Sequence, residues 1–145
     1  MKIYNERGDN IERWSYDSSG MISAHIDGDN NITNYEHDAK RRLSKETLPD
    51  TSWRTVSAFE YENSFNRLIK KTEIVSAVAD PATPVETKTN SFTYDSLGNL
   101  VTAVDALNNL EKWEYNANGT IKKYINKLEQ TTDYTYDATG NYVTN

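Results

Sequence analysis

A seven-residue phrase returns every 21 residues along this chain: Tyr94-Asp95-Ser96-Leu97-Gly98-Asn99-Leu100, then Tyr115-Asn116-Ala117-Asn118-Gly119-Thr120-Ile121, then Tyr136-Asp137-Ala138-Thr139-Gly140-Asn141-Tyr142. It stands earlier as Tyr16-Asp17-Ser18-Ser19-Gly20-Met21-Ile22, and His37-Asp38-Ala39-Lys40-Arg41-Arg42-Leu43 follows at the same interval. A looser copy, Tyr61-Glu62-Asn63-Ser64-Phe65-Asn66-Arg67-Leu68, carries one extra residue. Two positions before each anchor stands an aromatic: Trp14, Tyr35, Phe59, Phe92, Trp113 and Tyr134. Such a period means an array of like units, each packed on the next.

The period is odd, and that is the strongest constraint. Strand side chains alternate faces with period two, so an odd repeat turns its signature residues over unless the two turns it contains differ in parity. Asp95 to Asn99 suits a three-residue hairpin loop with Gly98 left-handed and Asp95 accepting turn N–H groups. Tyr94 then faces Leu100, and Phe92 faces Thr102. Parity makes the second loop even, the four residues Asp105-Ala106-Leu107-Asn108, with Val104 opposite Asn109. On this register Tyr94, Leu100, Trp113 and Tyr115 share one face. Distorted turns are expected where Arg41 replaces the turn Gly, where Asn116 replaces Asp, and where the third copy has its extra residue.

The expected fold class is all-β: a repetitive antiparallel hairpin meander of about a dozen short strands, forming a twisted or curled open sheet. Residues 1–145 read as a single array anchored at Tyr16, His37, Tyr61, Tyr94, Tyr115 and Tyr136. Insertions interrupt the spacing at about 44–58 and about 70–91. Pro49 marks the first as a loop. Pro81 and Pro84, which cannot donate to a central ladder, mark the second as an exposed loop or extended hairpin tip.

The composite, aromatic-x-Tyr-Asp-x-x-Gly-(Asn/Arg)-Leu, resembles the YD repeat of the Rhs family, which includes bacterial Rhs proteins, insecticidal toxin complexes, wall-associated proteins and teneurins. The resemblance covers nearly the whole chain. It implies a non-catalytic strip of a β-sheet shell or surface stalk that encloses or presents a toxin or adhesion region of a longer parent. It also implies a secreted or cell-surface location. The chain opens partway into one repeat and stops inside another, which is expected of a piece of a longer array. The expected partners are further repeats of the parent, or a second copy meeting this one through the aromatic face or the edge strands. The acidic self-cleavage segment of long family members has no counterpart after Tyr136, so no catalytic residue carries over.

Composition narrows the classes further. Only 36% of residues are hydrophobic, yet ten Tyr, three Trp and three Phe concentrate the apolar area, at roughly 150–250 Å² apiece. Trp113 is therefore expected in the core, where Trp113→Ala costs about 3–5 kcal/mol. A net charge of −6 argues against nucleic-acid backbone binding, which needs clustered cations. With no cysteine, disulfides and thiolate metal sites are excluded. No apolar run approaches the roughly 20 residues that span a bilayer, and the stretch after Met1 has no signal-peptide core.

No catalytic, cofactor-binding or metal residue is assigned. Asp27-Gly28-Asp29-Asn30-Asn31 with Asp38 imitates the acidic spacing of a calcium loop. However, Ile32 stands where that loop needs Gly, and Asp27 fills the slot that Asp105 fills in its own copy, so a turn is favoured. Asp17, Asp95 and Asp137 recur because the turn recurs. His37 is a packing substitute at a Tyr position, and neither it nor His25 has a nucleophile or a cysteine beside it. Lys40-Arg41-Arg42 reads as a solvated hairpin tip. The sequons at Asn31 and Asn118 fit the turn grammar. The alternative function is a carbohydrate or cell-wall binding module using exposed aromatics, with Trp53, outside the pattern, as the ring to test.

Overall fold

The computed structural model describes residues 2–4, 10–137, 139 and 143–144. Among these are fourteen strands and no helix. They are β1 (Lys2–Tyr4), β2 (Asn10–Tyr16), β3 (Ile22–Ile26), β4 (Ile32–His37), β5 (Leu43–Thr47), β6 (Trp53–Tyr61) and β7 (Leu68–Ala77). After these come β8 (Asp80–Tyr94), β9 (Leu100–Val104), β10 (Leu110–Tyr115), β11 (Ile121–Ile125), β12 (Thr131–Asp133), β13 (Thr135–Tyr136) and β14 (Val143–Thr144). β1 to β12 neighbour one another in chain order as an open antiparallel sheet, and β13 pairs with β14. This is the all-β meander that the repeat dictates. The turn of the sixth copy, at Ala138 to Tyr142, lies largely outside the described residues.

Two compact units are distinguished, one of residues 1–60 and 71–88, the other of 61–70 and 89–145. β6, β7 and β8 are long enough to give residues to both. In the first unit, the insertion near Pro49 is a loop between β5 and β6, closed by Leu48 N donating to Thr55 O at 3.0 Å. The second insertion is less a loop than a pair of lengthened strands. β7 and β8 meet at a two-residue turn, Val78-Ala79, and Pro81 and Pro84 lie within β8, whose residues 80–88 are all exposed.

The register corrects the expected turn parity. Tyr94 pairs with Leu100 as read, but Thr93 pairs with Thr102 and Phe92 with Ala103, leaving Val101 as a bulge. Val104 pairs with Leu110, not Asn109. The second loop, Asp105 to Asn109, is therefore the same turn as the first. Asp105 N donates to Asn109 O at 3.0 Å and Asn108 N to Asp105 O at 2.9 Å, just as Asp95 N meets Asn99 O at 3.0 Å and Gly98 N meets Asp95 O at 3.1 Å. Both turns are odd, and the bulge supplies the missing parity. Equivalent shifts leave Ser23, Ser44 and Lys122 as the extra residues of their strands.

One face of each unit collects the signature side chains. In the second unit, pairing places Phe92 beside Ala103 and Glu111, Tyr94 beside Leu100, Trp113 beside Tyr124 and Tyr115 beside Ile121. In the first, Trp14 lies opposite His25, Tyr16 opposite Ile22, Tyr35 opposite Glu46 and His37 opposite Leu43. Burial is shallow: among the described residues no hydrophobic side chain is buried, and only Ser57 and Ser76 are. Trp113 is only partly buried, short of the core position expected for it. A sheet without a covering layer can do no more for it.

Candidate functional site

The recurring unit of this chain is a turn, a bulge and a hydroxyl. The turn has the form Asp-x-x-Gly-Asn or a variant of it, and its fourth residue takes a positive φ. Gly20, Gly98 and Gly119 occupy that slot, and so do Asn30, Arg41, Asn108 and Glu129, at φ 61–65°. Arg41 therefore does not distort its turn: Arg41 N donates to Asp38 O at 2.8 Å and Asp38 N to Arg42 O at 2.9 Å. Asn116 likewise keeps both closing bonds, at 2.8 and 2.9 Å. In the third copy the extra residue widens the loop, yet Asn66 holds the left-handed slot and Glu62 N still meets Arg67 O at 3.0 Å.

The first turn residue caps the loop with its side chain. Asp95 Oδ1 accepts from the N–H groups of Leu97 and Asn99, both at 2.9 Å, while Oδ2 accepts from Asn99 Nδ2 at 2.9 Å. Asp27 does the same for Asp29 N, Asn31 N and Asn31 Nδ2. Its carboxylate is thus spent on the turn, as are those of Asp17, Asp38 and Asp137, while Asp105 caps its turn and also accepts from Lys127 Nζ at 2.9 Å. These bonds hold the carboxyls of Asp17, Asp27, Asp38, Asp95 and Asp105 below their ordinary value. The leading donor is the Ser19 side chain for Asp17, the Asn31 side chain for Asp27 and Arg42 for Asp38, and the neighbouring Asn side chains act on Asp95 and Asp105.

A bulge leaves backbone groups unmatched, and the next copy reaches back to one of them. The Tyr115 hydroxyl donates to Leu100 O at 2.8 Å, that of Tyr136 to Ile121 O at 2.7 Å, and that of Tyr94 to Leu68 O at 2.9 Å. Leu100 and Ile121 directly precede the bulge residues Val101 and Lys122. In these three copies the anchor Tyr is therefore a staple between copies as well as an apolar ring. In the second copy His37 stands at this position, half-buried, and its Nδ1 is buried with no hydrogen-bond partner.

The third copy carries a local cluster of its own. Arg67 lies 4.5 Å from the centroid of the Tyr94 ring and 4.7 Å from that of Phe65, and it is bonded to Glu62. Its Nη1 fills the space in which a Cβ on Gly98 would stand, 2.8 Å away.

The remaining sequence candidates fall into the same grammar. Lys40 and Arg41 are exposed at a hairpin tip, Arg41 donates to Ser19 O at 3.1 Å, and Arg42 pairs with Asp38 at 2.6 Å. His25 stacks on Trp14 at 5.0 Å between centroids, and Trp113 lies 5.4 Å from Tyr124. Trp53, at 50% exposure, is the most open of the three tryptophans. Asn31 is held by Asp27, and Asn118 Oδ1 accepts from Thr120 Oγ1 at 2.7 Å. On the opposite face of the first unit, a groove of about 810 Å³ includes Asn34, Thr47 and Ile74. Its charged groups satisfy one another, Lys45 with Glu36 at 2.7 Å and Arg54 with Asp50 at 2.5 Å. Sequence reasoning missed the bulge, which has no residue type of its own, and the staple, whose acceptor is a backbone carbonyl.

The teneurin YD-shell family model matches residues 3–145. Among solved structures the chain is similar to TcdB2-TccC3-Cdc42, with 13% identity over 92% of this chain and 9% of that one, at a TM-score of 0.45. It is also similar to TcdB2-TccC3 without its hypervariable C-terminal region (12% identity, 97% and 10% covered, TM-score 0.48) and to the Tc holotoxin pore of Photorhabdus luminescens (12%, 97% and 9%, 0.49). The chain thus spans about a tenth of the length of those chains. No curated protein matches it.

Proposed function

The chain belongs to the teneurin YD-shell family, and on that premise we propose that it serves as a non-catalytic stretch of wall in a longer protein, one continuous array that encloses or presents a toxin or adhesion region at a cell surface or outside the cell. The observation that carries this reading is the staple. The hydroxyls of Tyr94, Tyr115 and Tyr136 are each committed to the backbone of the copy before. The turn carboxylates cap their own loops, and that of Asp105 also accepts from Lys127 Nζ at 2.9 Å. The recurrent polar groups of the repeat therefore serve continuity along the chain, which is what a wall requires and what a reactive centre does not. The partners implied are the adjoining repeats of the parent, continuing the same turn, bulge and staple.

Limited proteolysis of the parent tests this. With the wall intact, a region enclosed by it should resist protease. Changing Tyr94, Tyr115 and Tyr136 together to Phe should loosen the wall and speed cleavage of that region. Equal cleavage rates before and after would contradict an enclosing role.

A further inference from the structure

The fifth copy departs from the repeat at both ends of its first turn. Asp17, Asp38, Asp95 and Asp137 open that turn in other copies, but here it runs Asn116-Ala117-Asn118-Gly119-Thr120. The two departures belong together. In the fourth copy Asn99 Nδ2 donates to Asp95 Oδ2 at 2.9 Å. In the fifth the direction is reversed, and Asn116 Nδ2 donates to Thr120 Oγ1 at 2.9 Å. A hydroxyl has one proton to give. An aspartate at 116 would accept it, whereas Asn116 takes up a lone pair and leaves the proton for Asn118. Asn118 Oδ1 accepts from Thr120 Oγ1 at 2.7 Å and from Thr120 N at 3.2 Å. Because a backbone N–H can only donate, the atom it faces is the amide oxygen, and Asn118 Nδ2 is left without a partner among the described residues.

We propose that Asn118 is an acceptor for an asparagine-linked glycan, an inference that rests on the location outside the cell in the reading above. Asn118-Gly119-Thr120 has the residue types at the spacing that oligosaccharyl transfer requires. In that transfer the amide nitrogen bonds to the anomeric carbon of a lipid-pyrophosphate-linked oligosaccharide. The carbon–oxygen bond to pyrophosphate breaks, the lipid pyrophosphate leaves with the electron pair, and the amide gives up one proton. Ala117, Asn118 and Gly119 are all exposed, at a hairpin tip beyond the last ladder pair, Tyr115 with Ile121. A Cβ on Gly119 would meet nothing within 4 Å, so the tip has room for a sugar. The bonds that close this turn run through Asn116 N and Gly119 N, and none uses Asn118 Nδ2. Asn31-Ile32-Thr33 has the same spacing and a different geometry. Asn31 Nδ2 donates to Asp27 Oδ2 at 2.8 Å, so a sugar on that nitrogen competes with a bond that closes its own turn.

The test is to secrete the full chain behind a cleavable leader peptide from a glycosylating eukaryotic cell. The leader supplies the compartment, so a missing glycan counts against the site and not against the wall. The mass should exceed the 16.6 kDa of the bare chain by one oligosaccharide. Trimming with an endoglycosidase that leaves one sugar, followed by peptide mass mapping, should find that sugar on Asn118. Asn118→Gln and Thr120→Ala should each abolish the increment, while Thr120→Ser and Asn31→Gln should keep it. Circular dichroism confirms that each variant keeps its sheet. The urea midpoint of the glycosylated chain should be no lower than that of the glycan-free chain made in a bacterial cytosol, since no turn bond is lost. Secretion at the bare chain mass would overturn the proposal. So would a sugar on Asn31 with none on Asn118, an increment undiminished in Asn118→Gln, or a lowered midpoint in the glycosylated chain.

Discussion

At the scale of single residues, the repeat asks more of its tyrosine than of any other position. The ring lies on the aromatic face, and the hydroxyl satisfies a carbonyl next to a bulge. Tyr115→Phe keeps the ring and removes only the bond to Leu100 O, so urea unfolding should show a loss of about 0.5–1.5 kcal/mol. His37→Tyr is the converse. It replaces a ring whose Nδ1 has no partner with the residue that staples three other copies, and it should raise stability by about 0.5–1.5 kcal/mol. Failure of both would separate the hydroxyl from the stability of the array. Trp113→Ala should cost less than the roughly 3–5 kcal/mol of a fully buried aromatic, because the ring is only partly buried. A loss near 4 kcal/mol in the same assay would mean that a closed core exists around it.

At the scale of elements, the turn decides most of the local behaviour. Gly98 and Gly119 share a positive φ, but only Gly98 has a neighbour in the place of a Cβ, Arg67 Nη1 at 2.8 Å. An alanine in left-handed conformation costs about 1–2 kcal/mol at either site. Gly98→Ala should cost about 1 kcal/mol more than Gly119→Ala by urea unfolding, because Arg67 must leave the rings of Phe65 and Tyr94. Equal costs would mean that Arg67 moves freely.

The turn carboxylates also set an acid limit. Asp17, Asp27, Asp38, Asp95 and Asp105 all lie below the ordinary 3.8 in the folded chain. The unfolded state therefore binds more protons, and the stability these groups contribute is complete above the unfolded value and is lost as pH falls through the folded ones. The loss should set in below about pH 4, and Asp105→Asn should make it shallower. A urea midpoint that holds level from pH 5 to pH 2 would contradict the capping role.

The turn residues were also the most legible part of the fold. Asp95, Gly98 and Asn99 announce their hairpin, and the Tyr94–Leu100 pair follows from it. The second turn was misjudged because Asn108 fills its left-handed slot instead of Gly, which hid that both turns are one. The bulge left no mark at all. Its residues are Ser23, Ser44, Val101 and Lys122, four positions sharing only a place in the ladder. The staple was equally hidden, since its acceptor is a backbone carbonyl that any side chain may carry.

At the scale of the whole molecule, the account rests on one claim: 21 residues with two like turns, one bulge and one staple make a unit that continues itself. The odd period and the shared face are reconciled by the bulge, and the copies are joined by the hydroxyl. Among the described residues no hydrophobic side chain is fully buried, so the array does not depend on a closed core. The measurement that tests this most directly is equilibrium urea unfolding of a chain in which residues 100–120 are duplicated after Thr120. The account predicts one transition whose slope rises by roughly a seventh, in step with the added surface, at a midpoint no lower than that of the original chain. An unchanged slope with a lowered midpoint would show that the inserted copy hangs unfolded, and would contradict the repeat as a self-continuing unit of wall.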